Sequence, residues 1–221
     1  MLLALDTATQ ALAIALHDGH QVLVEQVWTG TRYQTEHLAP EVALSLRRMG
    51  LTARSLTAVA VASGPGSYTG LRVGMALAKG IALAHNLPLA GVPTLDILAY
   101  AQPAGDYALL AVIQAGRARL AALWYKWAAT GWVAQGRPES LDWAEVVSRI
   151  AGPTRVCGDI DRDRRALLSA QPGVHVAPPA LCVRRPAILA ELGWQRLKAE
   201  PRADPAALVP EYLQSAGQAA L

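Results

Sequence analysis

Residues 63–80 read SGPGSYTGLRVGMALAKG, five glycines in eighteen positions where an apolar segment gives way to a helical pattern. Either a phosphate sits in this loop or another surface packs closely on the helix. A P-loop needs Lys and then Ser or Thr directly after its last glycine, because ammonium and hydroxyl reach phosphate and magnesium. Here Leu71 follows Gly70. The dinucleotide fingerprint fails as well: Gly64 and Gly66 fit, the third glycine falls one place late at Gly70, and no acid follows about twenty residues on to hold a ribose. The mouth Gly64-Pro65-Gly66-Ser67 still admits two readings, a tight strand-to-helix turn or an anion held by free backbone amides. Along the helix, Gly66, Gly70, Gly74 and Ala78 recur every fourth residue, and so do Ala76, Gly80 and Ala84. Each mid-helix glycine costs about 1 kcal/mol against alanine, so close packing must offset Gly70, Gly74 and Gly80. A sheet explains one small face more easily than two.

Upstream of the glycines, LTAVAVAS reads as a buried strand, and TEHLAPEVALSLRRMG places Leu38, Val42, Leu46 and Met49 at helical spacing. Pro40 marks or bends its first turns, and Gly50 stops it. LLALDT and LAIALH are strands, and Asp18-Gly19 joins the second to HQVLVEQVW as a hairpin. The helix at 69–85 is followed by the strand LPLAGV, so the order is βββαβα and a further strand. The pattern breaks at Gln102 to Gly105 and begins again. YALLAVIQA, RLAALWYKW and WVAQG are three strands, Ser140 caps the helix LDWAEVVSRI, and TRVCGDI, DRDRRALLSA and GVHVA continue as strand, helix and strand. This replay predicts two similar α/β subdomains, 1–103 and 104–221. RPAILAELGWQRLKAE is a late helix, and PEYLQ opens a tail that docks elsewhere.

Composition narrows the chemistry. Hydrophobic residues make up 52% of the chain, but Asp6, Asp18, Arg72 and Lys79 interrupt the longest apolar runs, so no membrane span is expected. LLALDT lacks the features of a signal peptide, and a cytoplasmic address is the expectation. Cys157 and Cys182 lack metal-ligand spacing, and the five histidines form no HxxxH or HxxE pair. Ser63, Ser67 and Thr69 sit in no GxSxG elbow. A net charge of +3 does not imply nucleic-acid binding, although Val42 to Leu95 holds Arg47, Arg48, Arg54, Arg72 and Lys79 and no acid. Asp6 and Thr7 end the first strand, and with Gly64, Gly66 and Ser67 they form the candidate nucleotide or anion site.

LALDTAT, AVASGPGSYTGLRVGMALAKGIAL and LPLAGVPTLD closely resemble the TsaB (YeaZ) family, and a late PEYL resembles its tail motif. The resemblance implies an α/β fold of the actin, Hsp70 and sugar-kinase type with two βββαβα subdomains. It implies a non-catalytic partner of TsaD, which installs threonylcarbamoyl on the adenosine 3′ of the anticodon in tRNA. In TsaD the segment after the glycine-rich helix carries HxxxH metal ligands; here VPTLDIL offers Pro93, Thr94, Asp96 and Leu98, which cannot hold the metal. The family also implies that helices 35–49 and 69–85 bundle with the equivalent pair in TsaD, or in a second copy when alone. Leu38, Val42, Leu46, Gly70, Gly74, Met75 and Ala78 are the expected contacts. The ATPase TsaE and tRNA complete the assembly, and no cofactor is expected beyond ATP or ADP at the shared interface. Many members end the tail motif in arginine, where this chain has Gln214. Two other classes are weighed: an ATP-dependent phosphotransferase or ATPase using Asp6, for which superfold membership alone is no argument, and a peptidase, for which no metal or nucleophile constellation stands.

Overall fold

In β1 (Leu2–Asp6) and β2 (Leu12–His17) every residue is buried, so both faces of their sheet are covered. The structure, a computed structural model, describes residues 1–30, 34–116, 118–200 and 204–213. A hairpin turn at Asp18-Gly19 leads to β3 (Val22–Trp28); the Asp18 carboxylate accepts the amides of His20 and Gln21 at 2.8 Å each. Next come α1 (Gln34–Arg48, with Pro40 inside it), β4 (Ala58–Gly64), α2 (Tyr68–His85), β5 (Leu89–Pro93) and α3 (Thr94–Tyr100). The first sheet runs β3-β2-β1-β4-β5, antiparallel through β1 and parallel from β1 to β5.

Side chains alternate across a strand, and here each set finds its own cover. Leu3, Leu5, Val59 and Val61 face Leu38, Val42 and Leu46 of α1 and Met75, Ala78 and Ala82 of α2. Leu2, Ala4, Ala60 and Ala62 face Leu189, Ala190, Leu192 and Leu197 of the late helix α6 (Pro186–Ala199). Alanines on that side let α6 lie close; a methyl added at Gly193 would stand 2.6 Å from the Ala60 Cβ.

The second sheet is built from β6 (Ala108–Gln114), β7 (Leu120–Ala128), β8 (Gly131–Ala134), β9 (Glu139–Leu141), β10 (Thr154–Gly158) and β11 (Val174–Val176), with α4 (Trp143–Ser148) and α5 (Arg162–Ser169). Its order is β8-β7-β6-β10-β11, with β9 also on β7, and it repeats the strand order of the first sheet. The repeat expected from the sequence is therefore present, with β9 and α3 unforeseen. Ser140 is not the cap of α4. It lies in β9, paired with Ala121, and Asp142 caps the helix by accepting the Glu145 amide at 2.8 Å, while the Glu145 carboxylate accepts the Asp142 amide at 2.7 Å.

The compact units do not follow a division at 103/104. One comprises Met1–Ile97 and Arg185–Glu211, the other Leu98–Arg184 and, of the described tail, residues 212–213. Helix α6 joins the first unit because its apolar side chains complete that unit's core. The tail follows it: Leu208 packs into the core beside α1 and α2, and the Glu211 amide donates to the Ser63 carbonyl at 2.7 Å. Gln214 lies outside the described residues. No described helix is long and apolar enough to cross a membrane.

Candidate functional site

Ser67 starts α2 by accepting the Gly70 amide on its hydroxyl at 3.3 Å, and Asn86, left-handed at φ 52°, ends it. The Thr7 hydroxyl donates to the Gly70 carbonyl at 2.7 Å, and a methyl at Gly74 would overlap the Thr7 Oγ1. Gly70 and Gly74 thus let the helix axis approach the end of β1. The first small-residue row serves the chain's own fold.

This corrects the expected partner contacts. Leu38, Val42, Leu46, Met75 and Ala78 are no more than 5% exposed, and Gly70 and Gly74 are buried beside them. They form the core between the two helices and the sheet, where a partner does not reach. Spacing of three and four residues marks a helix face without saying what covers it, and the more apolar face goes to the sheet.

The second row does face outward. Thr69, Arg72, Ala76, Gly80, Leu83 and Ala84 are exposed at helical spacing, with Leu83 62% exposed and no described residue within 4 Å of a methyl added at Gly80. On α1, which packs against α2, Ala39, Pro40, Ala43 and Arg47 are exposed. The Arg72 guanidinium lies 3.8 Å over the Tyr68 ring at the start of the stripe. Arg47, Arg48, Arg54 and Arg72 are exposed, whereas the Lys79 ammonium donates to the Ala206 carbonyl at 3.1 Å. The result is a smooth, weakly basic helical surface on which a second pair of helices can pack closely.

The candidate anion residues also converge, at the ends of β1 and β4 and the start of α2. The Asp6 carboxylate, buried, accepts the Ala8 amide at 2.8 Å, and the Ser67 amide donates to the Ala8 carbonyl at 2.6 Å. A methyl on Gly66 would overlap that carbonyl, and one on Gly64, whose φ is +123°, would overlap the Glu211 carbonyl. These contacts bring Asp6, Thr7, Gly64, Gly66 and Ser67 together around a tight strand-to-helix turn.

VPTLDIL forms the end of β5 and most of α3. Thr94 and Leu98 are fully buried, and Asp96 stands 3.6 Å from the Arg196 guanidinium. The Thr94 hydroxyl finds no hydrogen-bond partner among the described residues, which also hold no group of His, Cys, Asp or Glu suited to a metal.

The family model for TsaD, tRNA N6-adenosine threonylcarbamoyltransferase, matches residues 25–136, about half of the chain. A Bacillus subtilis protein described as tRNA threonylcarbamoyladenosine biosynthesis protein TsaB is 28% identical over 97% of this chain and 94% of its own length. A Haemophilus influenzae protein of the same description is 30% identical over 73% of this chain and 68% of its own. Two Pseudomonas aeruginosa structures, one described as similar to peptidase YeaZ and one as YeaZ, superpose with TM-scores of 0.76 and 0.74 at 23% identity, each over 96% of this chain and 99% of the other. The fold is the expected one, α/β of the actin, Hsp70 and sugar-kinase type.

Proposed function

The chain belongs to the TsaB (YeaZ) family, and from that premise we propose that it is a non-catalytic subunit of the apparatus that makes N6-threonylcarbamoyladenosine in tRNA, pairing with TsaD through the outer face of α1 and α2. The observation that carries the pairing is the open row Ala76, Gly80 and Ala84 beside the exposed Leu83. A glycine in mid-helix with no neighbour among the described residues is a cost that close packing from outside would offset. The names of the Bacillus and Haemophilus relatives support the pathway.

Non-catalytic status is supported by α3. In the positions that the resemblance aligns with metal-binding imidazoles, this chain has Thr94 and Leu98 in the core and Asp96 beside Arg196. In this reading TsaE joins the pair, tRNA is engaged by the complex in the cytoplasm, and any ATP or ADP belongs to the interface with TsaD. The same outer face joins two copies when TsaD is absent.

The test combines the purified chain with TsaD, TsaE, threonylcarbamoyl adenylate and unmodified tRNA. Modification is expected to require the chain. Modification at equal rate without it defeats the proposal, and so does failure of the chain to capture TsaD.

A further inference from the structure

The second unit holds a groove of about 960 Å3 that neither the partner face nor the glycine-rich turn explains. Its origin is a mismatch of lengths. Strand β7 has nine residues and extends about 30 Å, while the six-residue α4 spans about 9 Å. Val146, Val147 and Ile150 cover Leu110, Val112, Leu120 and Ala122 near one end of the strand. Trp124 packs at the edge of that cover, and it and Lys126 line the open groove together with Tyr107 and with Arg149 after the helix.

The lining pairs aromatic faces with positive charge. Trp124 is half-buried and Trp127 is 43% exposed. Trp127 is held edge-on to Trp132, centroids 5.3 Å apart, and Trp132 leans on Tyr107 at 5.4 Å. The Trp132 indole donates to the Gln102 carbonyl at 3.2 Å and the Tyr107 hydroxyl to the Pro103 carbonyl at 2.6 Å. Tyr107, Trp127 and Trp132 therefore form a fixed aromatic wall, and Trp124 is held by its packing against Leu120 and Ala122, which lowers the entropy cost of stacking on it. Arg149 is already engaged by Glu139 at 2.8 Å. Lys126 is exposed and has no hydrogen-bond or ion-pair partner among the described residues, and Asp106 is the acid on the rim.

We infer that this groove takes an unpaired nucleotide of RNA, its base stacked on Trp124 and its phosphate on Lys126, which share one face of β7. Stacking accepts any base but needs it free of a duplex, and one free ammonium matches one phosphodiester. The inference rests on the proposed role in tRNA modification, which supplies the RNA.

The experiment titrates the full-length chain into a fluorescein-labelled RNA hairpin with an unpaired loop, a loop-free duplex of the same stem, and adenosine monophosphate. Fluorescence anisotropy reports on the two RNAs and tryptophan quenching on the nucleotide. Trp124→Ala is expected to weaken hairpin binding by about tenfold, the worth of one stacked base, with a urea midpoint confirming that the variant is folded. Lys126→Glu, at an exposed position that leaves folding intact, is expected to lower the salt dependence by about one phosphate contact. Hairpin affinity within twofold of the parent in both variants overturns the inference, as does equal affinity for hairpin and duplex. Binding of adenosine monophosphate without binding of the hairpin overturns the assignment to RNA. Capture of TsaD is measured separately: its failure removes the complex while leaving the RNA titration to be judged by itself.

Discussion

Gly74 and Gly80 lie six residues apart on α2, and the structure predicts opposite outcomes for one substitution. Replacing either by alanine gains about 1 kcal/mol of helix propensity. At Gly80 nothing stands within 4 Å of the added carbon, so Gly80→Ala is expected to stabilise the isolated chain by about 0.5–1 kcal/mol. At Gly74 the carbon overlaps the Thr7 hydroxyl, which donates to the Gly70 carbonyl at 2.7 Å. Overpacking costs about 1–3 kcal/mol and the displaced hydrogen bond about 1 kcal/mol, so Gly74→Ala is expected to lose about 1–3 kcal/mol net. Urea unfolding of the three proteins, read as midpoint shifts at constant slope, measures both. Gly80→Leu extends the comparison, since it should unfold near the parent midpoint and fail to capture TsaD. Equal destabilisation by the two alanines refutes the assignment of inner and outer faces, and full TsaD capture by Gly80→Leu refutes the docking surface.

His17, buried, accepts the Gly19 amide at 2.9 Å and the Trp194 indole N–H at 3.1 Å on Nδ1, so its proton lies on Nε2 toward Glu191. His17→Phe strands both donors and should lower unfolding stability by about 2 kcal/mol, measured in urea. Burial pushes the Cys157 thiol up, above the free-thiol range. The unfolded chain loses that proton near pH 8.5, so this contribution is complete below that pH and declines as pH rises through the alkaline range. Cys157→Ala should flatten that decline in unfolding curves taken between pH 7 and 10, and a thiol reagent at pH 8 should label the half-buried Cys182 well before Cys157. Asp142→Ala removes the cap of α4 and should cost about 1 kcal/mol, with most of it restored by Asp142→Asn.

The strands and the turns between them were legible because their signals are local. Asp18-Gly19 closes the hairpin of β2 and β3, and unbroken apolar runs such as AVAVA mark strands covered on both faces. Where two residues compete for one local role, the sequence does not decide: Ser140 and Asp142 both suit a helix cap, and pairing of Ser140 with Ala121 in β9 leaves the cap to Asp142. The place of α6 depends on which sheet has a bare face, and it lies on strands that precede it by more than a hundred residues.

The partner face shows the same limit more sharply. Both small-residue rows of α2 were visible, and helical periodicity ranks them equally. The chain separates them through Thr7, a residue some sixty positions upstream, whose hydroxyl meets Gly70 and fills the space beside Gly74. Those two glycines are offset by the approach of β1. Gly80 costs the helix about 1 kcal/mol, and no described residue stands within 4 Å of a methyl added there. Among these three glycines it alone meets no neighbour among the described residues, which is why the proposed docking surface is centred on it.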